Sequence, residues 1–333
     1  MPVAKLKGDK GRIVSFLPSS TEILYEIGAG DLITGVTHEC NYPHKATNKP
    51  RVIKSSFDAS TMTSKEIDNK IASLMRSGED IYIIDDQKLK ESKPDLIIAQ
   101  GVCEVCAPFA KEVERANSIL GYKPDILVLD PHDLDDILVS IIGIADRTGH
   151  LEEGHRLVGS LQNRIDNIKK IVEAKTRASN TNTSNAAAEA TNKAKPRIVC
   201  LEWIEPFFIA GHWVPQMIDI AGGINGLSAP RQPSRRISIE EIMEFSPDKI
   251  VLMPCGFDID RTLKEVKVLQ NNDKWRSLPA VKRNEVYAVN ANAYFSKPGP
   301  RTITGLEILA KIMHPEDVDV KLPNNSFTRL TIS

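Results

Sequence analysis

Ile84-Asp-Asp-Gln-Lys-Leu-Lys-Glu-Ser-Lys-Pro-Asp-Leu-Ile-Ile98 and Ile237-Ser-Ile-Glu-Glu-Ile-Met-Glu-Phe-Ser-Pro-Asp-Lys-Ile-Val251 read the same way: a helical segment, a Pro-Asp turn, a short buried strand. A segment that recurs in both halves of a chain marks a repeated supersecondary unit. Around the first copy lie the apolar runs 12–17, 32–37, 93–100 and 125–130; around the second lie 197–202, 224–229, 246–253 and 285–290, in the same order. Short β-branched runs alternating with helical patterns predict βαβ units and a mainly parallel sheet in each half. The expected fold class is therefore α/β: two Rossmann-like lobes with mainly parallel sheets, joined by a long backbone helix, with a ligand cleft between the lobes.

The helix after the first strand carries the capping signature Ser19-x-x-Glu22, an apolar face of Ile23, Leu24 and Ile27, and Gly28 as its stop. Its counterpart places Val214, Met217, Ile218 and Ala221 at helical spacing before Gly222-Gly223. Between the halves, Leu134, Ile137, Leu138, Ile141 and Ile142 form a stripe resumed by Leu157, Leu161, Ile165, Ile168 and Val172, which predicts one long helix kinked near Gly149. No flanking heptad charges make it a coiled coil, so a rigid strut between lobes is expected. The stretch from Ala174 to Ala194, rich in Asn, Thr, Ala and Ser, lacks the apolar content to pack and is expected to be disordered. The predicted division is an N-terminal lobe over 1–130, the linking helix over 131–175, a disordered low-complexity loop over 176–195 and a C-terminal lobe over 196–333.

A chain of 333 residues, 41% of them apolar, can bury two cores. Its net charge of -1, without blocks of like charge, argues against nucleic acid and anionic lipid as partners. No apolar stretch approaches the roughly 20 residues that span a bilayer. The start, Met1 to Lys10, has no apolar leader-like core, and the five cysteines are odd in number. A cytoplasmic monomer with free thiols and a small-molecule ligand is expected.

The opening Arg12-Ile-Val-Ser-Phe-Leu-Pro-Ser-Ser-Thr-Glu-Ile-Leu24, with Gly28-Ala-Gly-Asp-Leu-Ile-Thr-Gly-Val-Thr37 and Lys93-Pro-Asp-Leu-Ile-Ile98, resembles the vitamin B12 and iron-complex substrate-binding proteins of ABC importers. The likeness runs from about Arg12 to Pro315 and implies two lobes joined by a backbone helix. A narrower cobalamin-binding branch looks closer still, through Thr37-His-Glu-Cys-Asn-Tyr-Pro43, Gln100-Gly-Val-Cys-Glu-Val-Cys-Ala107, Ala210-Gly-His-Trp-Val-Pro215 and Pro298-Gly-Pro-Arg301. This resemblance implies cobalamin or a related corrinoid as ligand, with iron siderophores and haem also taken in the wider family. It implies as well an ABC permease partner, docked through a glutamate on each lobe; Glu240 stands at one such position, whereas Gln87 departs from the pattern at the other.

Ligands of open α/β sheets bind beyond the carboxyl ends of the strands. The loops there hold the candidate ligand contacts: Pro18, Ser19, His38, Glu39, Tyr42, Gln100, Trp203, Phe207, His212, Trp213, Phe257, Tyr294 and Arg301. Their aromatic rings suit a wide, flat ligand, or equally the packing of a lobe core. His38 and His212 follow corresponding strand regions, and a neutral imidazole can take an axial position on cobalt or iron. Cys103-x-x-Cys106, with Cys40 and Cys255, leaves three readings open: a metal ion held at the Cys/His loops, a redox dithiol, or small buried thiols. The alternative function is therefore a metal-binding or thiol redox enzyme. Against an enzyme, there is no Gly-rich phosphate loop, GxSxG elbow or HExxH.

Overall fold

The computed structural model describes residues 11–101, 110–181 and 195–331. The chain divides into two compact units, the first made of residues up to Pro131, Asp135–Ser160 and Pro298–Pro300, the second of His132–Leu134, Leu161–Lys297 and Arg301 onward. In chain order the first elements are β1 (Ile13–Ser15), α1 (Pro18–Glu26), β2 (Ile33–Thr37), β3 (Arg51–Ser55), α2 (Ser64–Ser77), β4 (Tyr82–Ile84), α3 (Asp86–Ser92), β5 (Leu96–Gln100), α4 (Ala110–Leu120), β6 (Asp125–Leu129), α5 (Leu134–Thr148) and α6 (Leu151–Thr181). Then come β7 (Ile198–Trp203), β8 (Phe208–Ile209), α7 (Val214–Ile220), β9 (Arg235–Arg236), α8 (Ile239–Phe245), β10 (Lys249–Leu252), α9 (Ile259–Glu265), α10 (Asp273–Ser277), α11 (Pro279–Lys282), β11 (Val286–Val289), α12 (Ala291–Tyr294), α13 (Thr302–Met313) and β12 (Phe327–Leu330).

The sheet of the first unit has the order β4-β3-β2-β1-β5-β6 and that of the second β12-β11-β10-β7-β8-β9. In the first, every pair except β3 with β4 is parallel. In the second, β7, β10 and β11 form the parallel centre, and β8, β9 and β12 add antiparallel edges. Register repeats as the sequence does: Ile13 faces Leu96 in one unit, and Ile198 faces Lys249 in the other.

The Pro-Asp turns explain that register. The Asp95 carboxylate accepts from the Arg12 amide at 2.9 Å, and the Asp95 amide donates to Arg12 O at 2.8 Å. In the second unit Asp248 takes the Arg197 amide at 3.0 Å, and its own amide donates to Arg197 O at 2.7 Å. Each aspartate thus satisfies the backbone at the start of its neighbouring strand, which would otherwise be an unpaired donor beside a buried sheet. Lys93 and Ser246, just before each proline, cap α3 and α8 in the left-handed conformation, at φ 42° and 50°.

The expected strand at 224–229 is reduced to one parallel bridge between Arg197 and Ile224. Asn225 folds back on Ser228, with Nδ2 donating to the Ser228 carbonyl at 3.0 Å, so the run turns instead of extending. The short β8 pairs with β7 in its place.

Helix ends follow glycine where the sequence predicts them. Gly28 and Gly222 take φ of 84° and 79°, and the next amides reach back to Leu24 O at 2.7 Å and Ile218 O at 2.9 Å, a Schellman closure in both repeats. The start of α1 differs from expectation. Pro18 occupies its first turn and Leu17 is the N-cap without a side-chain bond, so Ser19 lies inside the helix rather than capping it.

The long helix is likewise two helices. Gly149, at φ 77°, ends α5 with the same closure, His150 N–H reaching Ala145 O at 2.8 Å, and α6 starts at Leu151. Residues 176–181 of the expected loop belong to α6, and 182–194 lie outside the described residues.

In the first unit Val14, Phe16, Val52, Ile53, Ile97 and Ala99 centre the core, and in the second the core gathers around Trp275. Each of the larger side chains, the valines, isoleucines and Phe16, contributes about 1.5–3 kcal/mol on burial. Arg164 of α6 makes a forked ion pair with Glu307 of α13, at 2.8 and 2.7 Å, and also donates to Thr304 Oγ1 at 2.8 Å.

His314 closes the end of α13, where its Nε2 lies 3.0 Å from Ala221 O and its Nδ1 3.1 Å from Lys175 Nζ. Lys175 is also paired with Asp317. Lysine can only donate, so Nδ1 accepts and the ring is neutral with its proton on Nε2. Burial, then the Lys175 ammonium, holds the His314 pKa below its ordinary value, with Asp317 opposing and Lys249 adding slightly. A depressed folded-state pKa gives stability that is complete above the unfolded value of about 6.5 and lost as pH falls from there through the folded value. Urea midpoints should therefore drop between pH 7.5 and 5.5 more in the native chain than in His314→Gln; equal drops would show that this histidine does not couple to folding.

Candidate functional site

In the first unit the turn after β1 begins α1 with Pro18, half-buried, and Ser19, wholly buried. Among the described residues Ser19 Oγ has no hydrogen-bond partner, and Ser19 Cβ lies 3.4 Å from where a Cβ on Gly299 would sit. The next residues make a buried hydroxyl network. Ser15 Oγ donates to Leu17 O at 2.7 Å and shares a 2.6 Å hydrogen bond with Ser20; Thr21 Oγ1 stands 2.8 Å from Ser15 Oγ and 3.2 Å from Cys40 Sγ. Thr37 Oγ1 meets the same sulfur at 3.3 Å. Cys40, completely buried, is thus enclosed by threonine hydroxyls and ties the loop after β2 to α1.

Of the other candidates in this unit, His38 is half-buried with its ring 6.2 Å from that of Tyr82, Glu39 is exposed, and Tyr42 is exposed next to Pro43. Gln100 is the buried last residue of β5. Cys103 and Cys106 lie outside the described residues.

The second unit brings more of the candidates together. Trp203, at the end of β7, meets Phe257 edge-on at 5.4 Å, and the Arg261 guanidinium lies 3.9 Å from the Phe257 centroid. An arginine over a ring is worth about 0.5–1 kcal/mol at exposed sites and more when desolvated. Phe207 is engaged elsewhere: it stacks on Trp275 at 5.9 Å, against the core. The Arg301 guanidinium lies 6.0 Å from the Tyr294 ring. Cys255 is half-buried in the loop after β10, and Cys200, inside β7, has its thiol pKa pushed far up by burial.

The most constrained part surrounds His212. Its ring is 6.1 Å from His132 and 5.7 Å from Trp213, whose indole Nε1 donates to Phe295 O at 3.0 Å. His212 has φ of 53°, a conformation that costs a non-glycine residue about 1–3 kcal/mol and persists only where its surroundings enforce it. They do so here. His212 N–H donates to Gln232 O at 2.6 Å, and Arg231 N–H donates to His212 O at 3.1 Å. A side chain on Gly211 would clash with the backbone of residues 232–234 at 2.4–2.5 Å. Arg231 is itself at φ 68° and forms an ion pair with Asp133, next to His132; Gln216 accepts from the Leu134 amide at 2.7 Å.

His132, Asp133, Arg231 and Arg261 carry no local motif that announces them. The contact between Asp133 and Arg231 spans 98 residues of sequence, whereas Arg261, on α9, reaches back to Phe257 just before that helix. Among the described residues no three His, Cys, Asp or Glu side chains group as a metal set, and no helix is long and apolar enough to cross a membrane.

The sequence profile of the periplasmic binding protein family matches residues 13–293. The chain belongs to this family. It is a substrate-binding protein by descent, not a member of an enzyme family. An ABC transporter substrate-binding lipoprotein of Bacillus subtilis (strain 168), YvrC, is 24% identical over 317 residues, covering 93% of this chain and 82% of the relative. A vitamin B12-binding protein of Vibrio cholerae is 24% identical over 305 residues, covering 89% and 86%. The apo structure of the periplasmic haem-binding protein RhuT from Roseiflexus sp. RS-1 superposes with a TM-score of 0.63 at 20% identity, covering 92% of this chain and 98% of RhuT, and so shares its fold.

The unpaired Ser19 hydroxyl gives a direct test of whether the turn after β1 is shaped for stability or for a ligand. Leaving a buried hydroxyl unbonded costs about 1–3 kcal/mol, so Ser19→Ala should raise the melting temperature of the ligand-free protein. A lowered melting temperature would mean that the hydroxyl is satisfied in solution.

Proposed function

We propose that this protein binds a corrinoid, cobalamin or a related flat metal complex, at the loops that join its strands to the following helices, and holds it as a receptor rather than transforming it. The observation that carries the reading is the set His132, His212 and Trp213, with His212 locked in a strained backbone conformation. In the same unit Trp203 and Arg261 pack against the buried Phe257 ring, which holds them at the neighbouring loop. Rings bring large apolar area with little entropy to lose, which suits a rigid macrocycle. The vitamin B12-binding relative and the haem-binding fold neighbour support a macrocyclic metal complex as the ligand class.

The same proposal includes action in the cytoplasm, where free thiols such as Cys200 and Cys255 persist. Glu240, one position at which a permease would dock by resemblance, is occupied by an ion pair with Lys274, and Gln87 replaces the other glutamate. Recovery of the native protein in the periplasmic or membrane fraction would contradict this part.

Calorimetric titration with cyanocobalamin, aquocobalamin and haem tests the ligand. Binding of either cobalamin should raise apparent stability by RT ln(1 + [L]/Kd), about 2.7 kcal/mol at a hundredfold excess over Kd. Heat and stabilisation from haem alone would replace the corrinoid reading, and neither from any of the three would end it.

A further inference from the structure

Resting on that reading, we infer that His212 supplies an imidazole nitrogen to the metal of the bound complex, with His132 as its positioning residue, so that the protein selects complexes with an exchangeable axial site. Two loops distant in sequence are stitched together to bring these imidazoles side by side. Asp133, adjacent to His132, is ion-paired with Arg231, and the Arg231 amide donates to the His212 carbonyl. Trp213 is anchored through its indole to Phe295 O, which fixes the residue after His212 as firmly as Gly211 fixes the residue before it. An imidazole is thereby held where glycine or asparagine would sit with less strain, and such outliers point to a role for the side chain.

The donor set narrows the ligand further. Two imidazoles are fewer donors than a bare transition-metal ion takes from a protein, and among the described residues no third ligating side chain joins them. They suit a metal that arrives with its equatorial positions already filled. Coordination is a ligand exchange: the metal–water bond breaks, a bond to the neutral imidazole nitrogen forms, and water leaves with its protons, so no oxidant or reductant is required. Cobalt(III) in aquocobalamin permits this exchange, whereas the cyanide of cyanocobalamin holds the position.

The experiment compares visible spectra and calorimetric affinities of both cobalamins with the native chain, His212→Asn and His132→Gln. Asparagine tolerates the left-handed backbone, so the loop is retained. The native protein should shift the bands of aquocobalamin but not of cyanocobalamin. His212→Asn should abolish the shift and weaken aquocobalamin by about tenfold or more while changing cyanocobalamin by less than about threefold. His132→Gln should keep the shift and move the pH at which it appears. Equal binding of both cobalamins by native and variant chains, without a shift, would overturn coordination and leave the corrinoid receptor standing. Absence of binding by either cobalamin would overturn both.

Discussion

A single carboxylate-to-amide contact, made twice, underlies this fold. Asp95 and Asp248 each take the amide at the head of the adjacent first strand and return their own amide to its carbonyl. The geometry sets which residue of β5 faces which residue of β1, and likewise for β10 and β7. A slip of one residue in a parallel sheet buried on both faces would misplace every side chain of the strand. Both aspartates are partly exposed and the Arg12–Asp95 ion pair is worth little by itself; their contribution is to pair backbone groups and fix register.

With register fixed, the carboxyl ends of the strands fall at definite places, and the chemistry follows from what the loops carry. In the second unit β7 ends on Trp203, and the loops after β8 and β10 carry His212 with Trp213, and Phe257. In the first unit the corresponding turn is filled by hydroxyls and the buried Cys40 sulfur. The repeat thus holds one architecture with two kinds of strand-end loop, a compact hydroxyl network in one and a cluster of aromatic rings and imidazoles in the other, with Phe257 and Trp213 buried. Strain is concentrated in the second, at Arg231 and His212.

The repeated Pro-Asp turns and the glycine stops at Gly28 and Gly222 were legible because they act locally, through proline's fixed φ and glycine's access to positive φ. The same physics acts at Gly149, where an apolar stripe continuous in sequence runs across a complete helix end. Ser19-x-x-Glu22 misled because Pro18 moves the helix start two residues earlier, with Leu17 as the N-cap. The run at 224–229 misled because its apolar content hid the turn at Asn225, while β8 and β9, two residues each, carry no periodicity to detect. Within the candidate site, the ring-bearing residues could be nominated from strand ends, but Phe207 faces the core and the pairing of His132 with His212 depends on an ion pair between residues 133 and 231 that no local pattern encodes.

The central claim is that the ligand is met at the carboxyl ends of the strands, where the locked register places these loops. Hydrogen–deuterium exchange of the whole chain with and without saturating aquocobalamin tests it most directly. The account predicts slowed exchange in residues 131–134, 203–216 and 255–261, with the amides at Arg12, Asp95, Arg197 and Asp248 unchanged. Protection confined to the strand starts, with these loops unaffected, would contradict it.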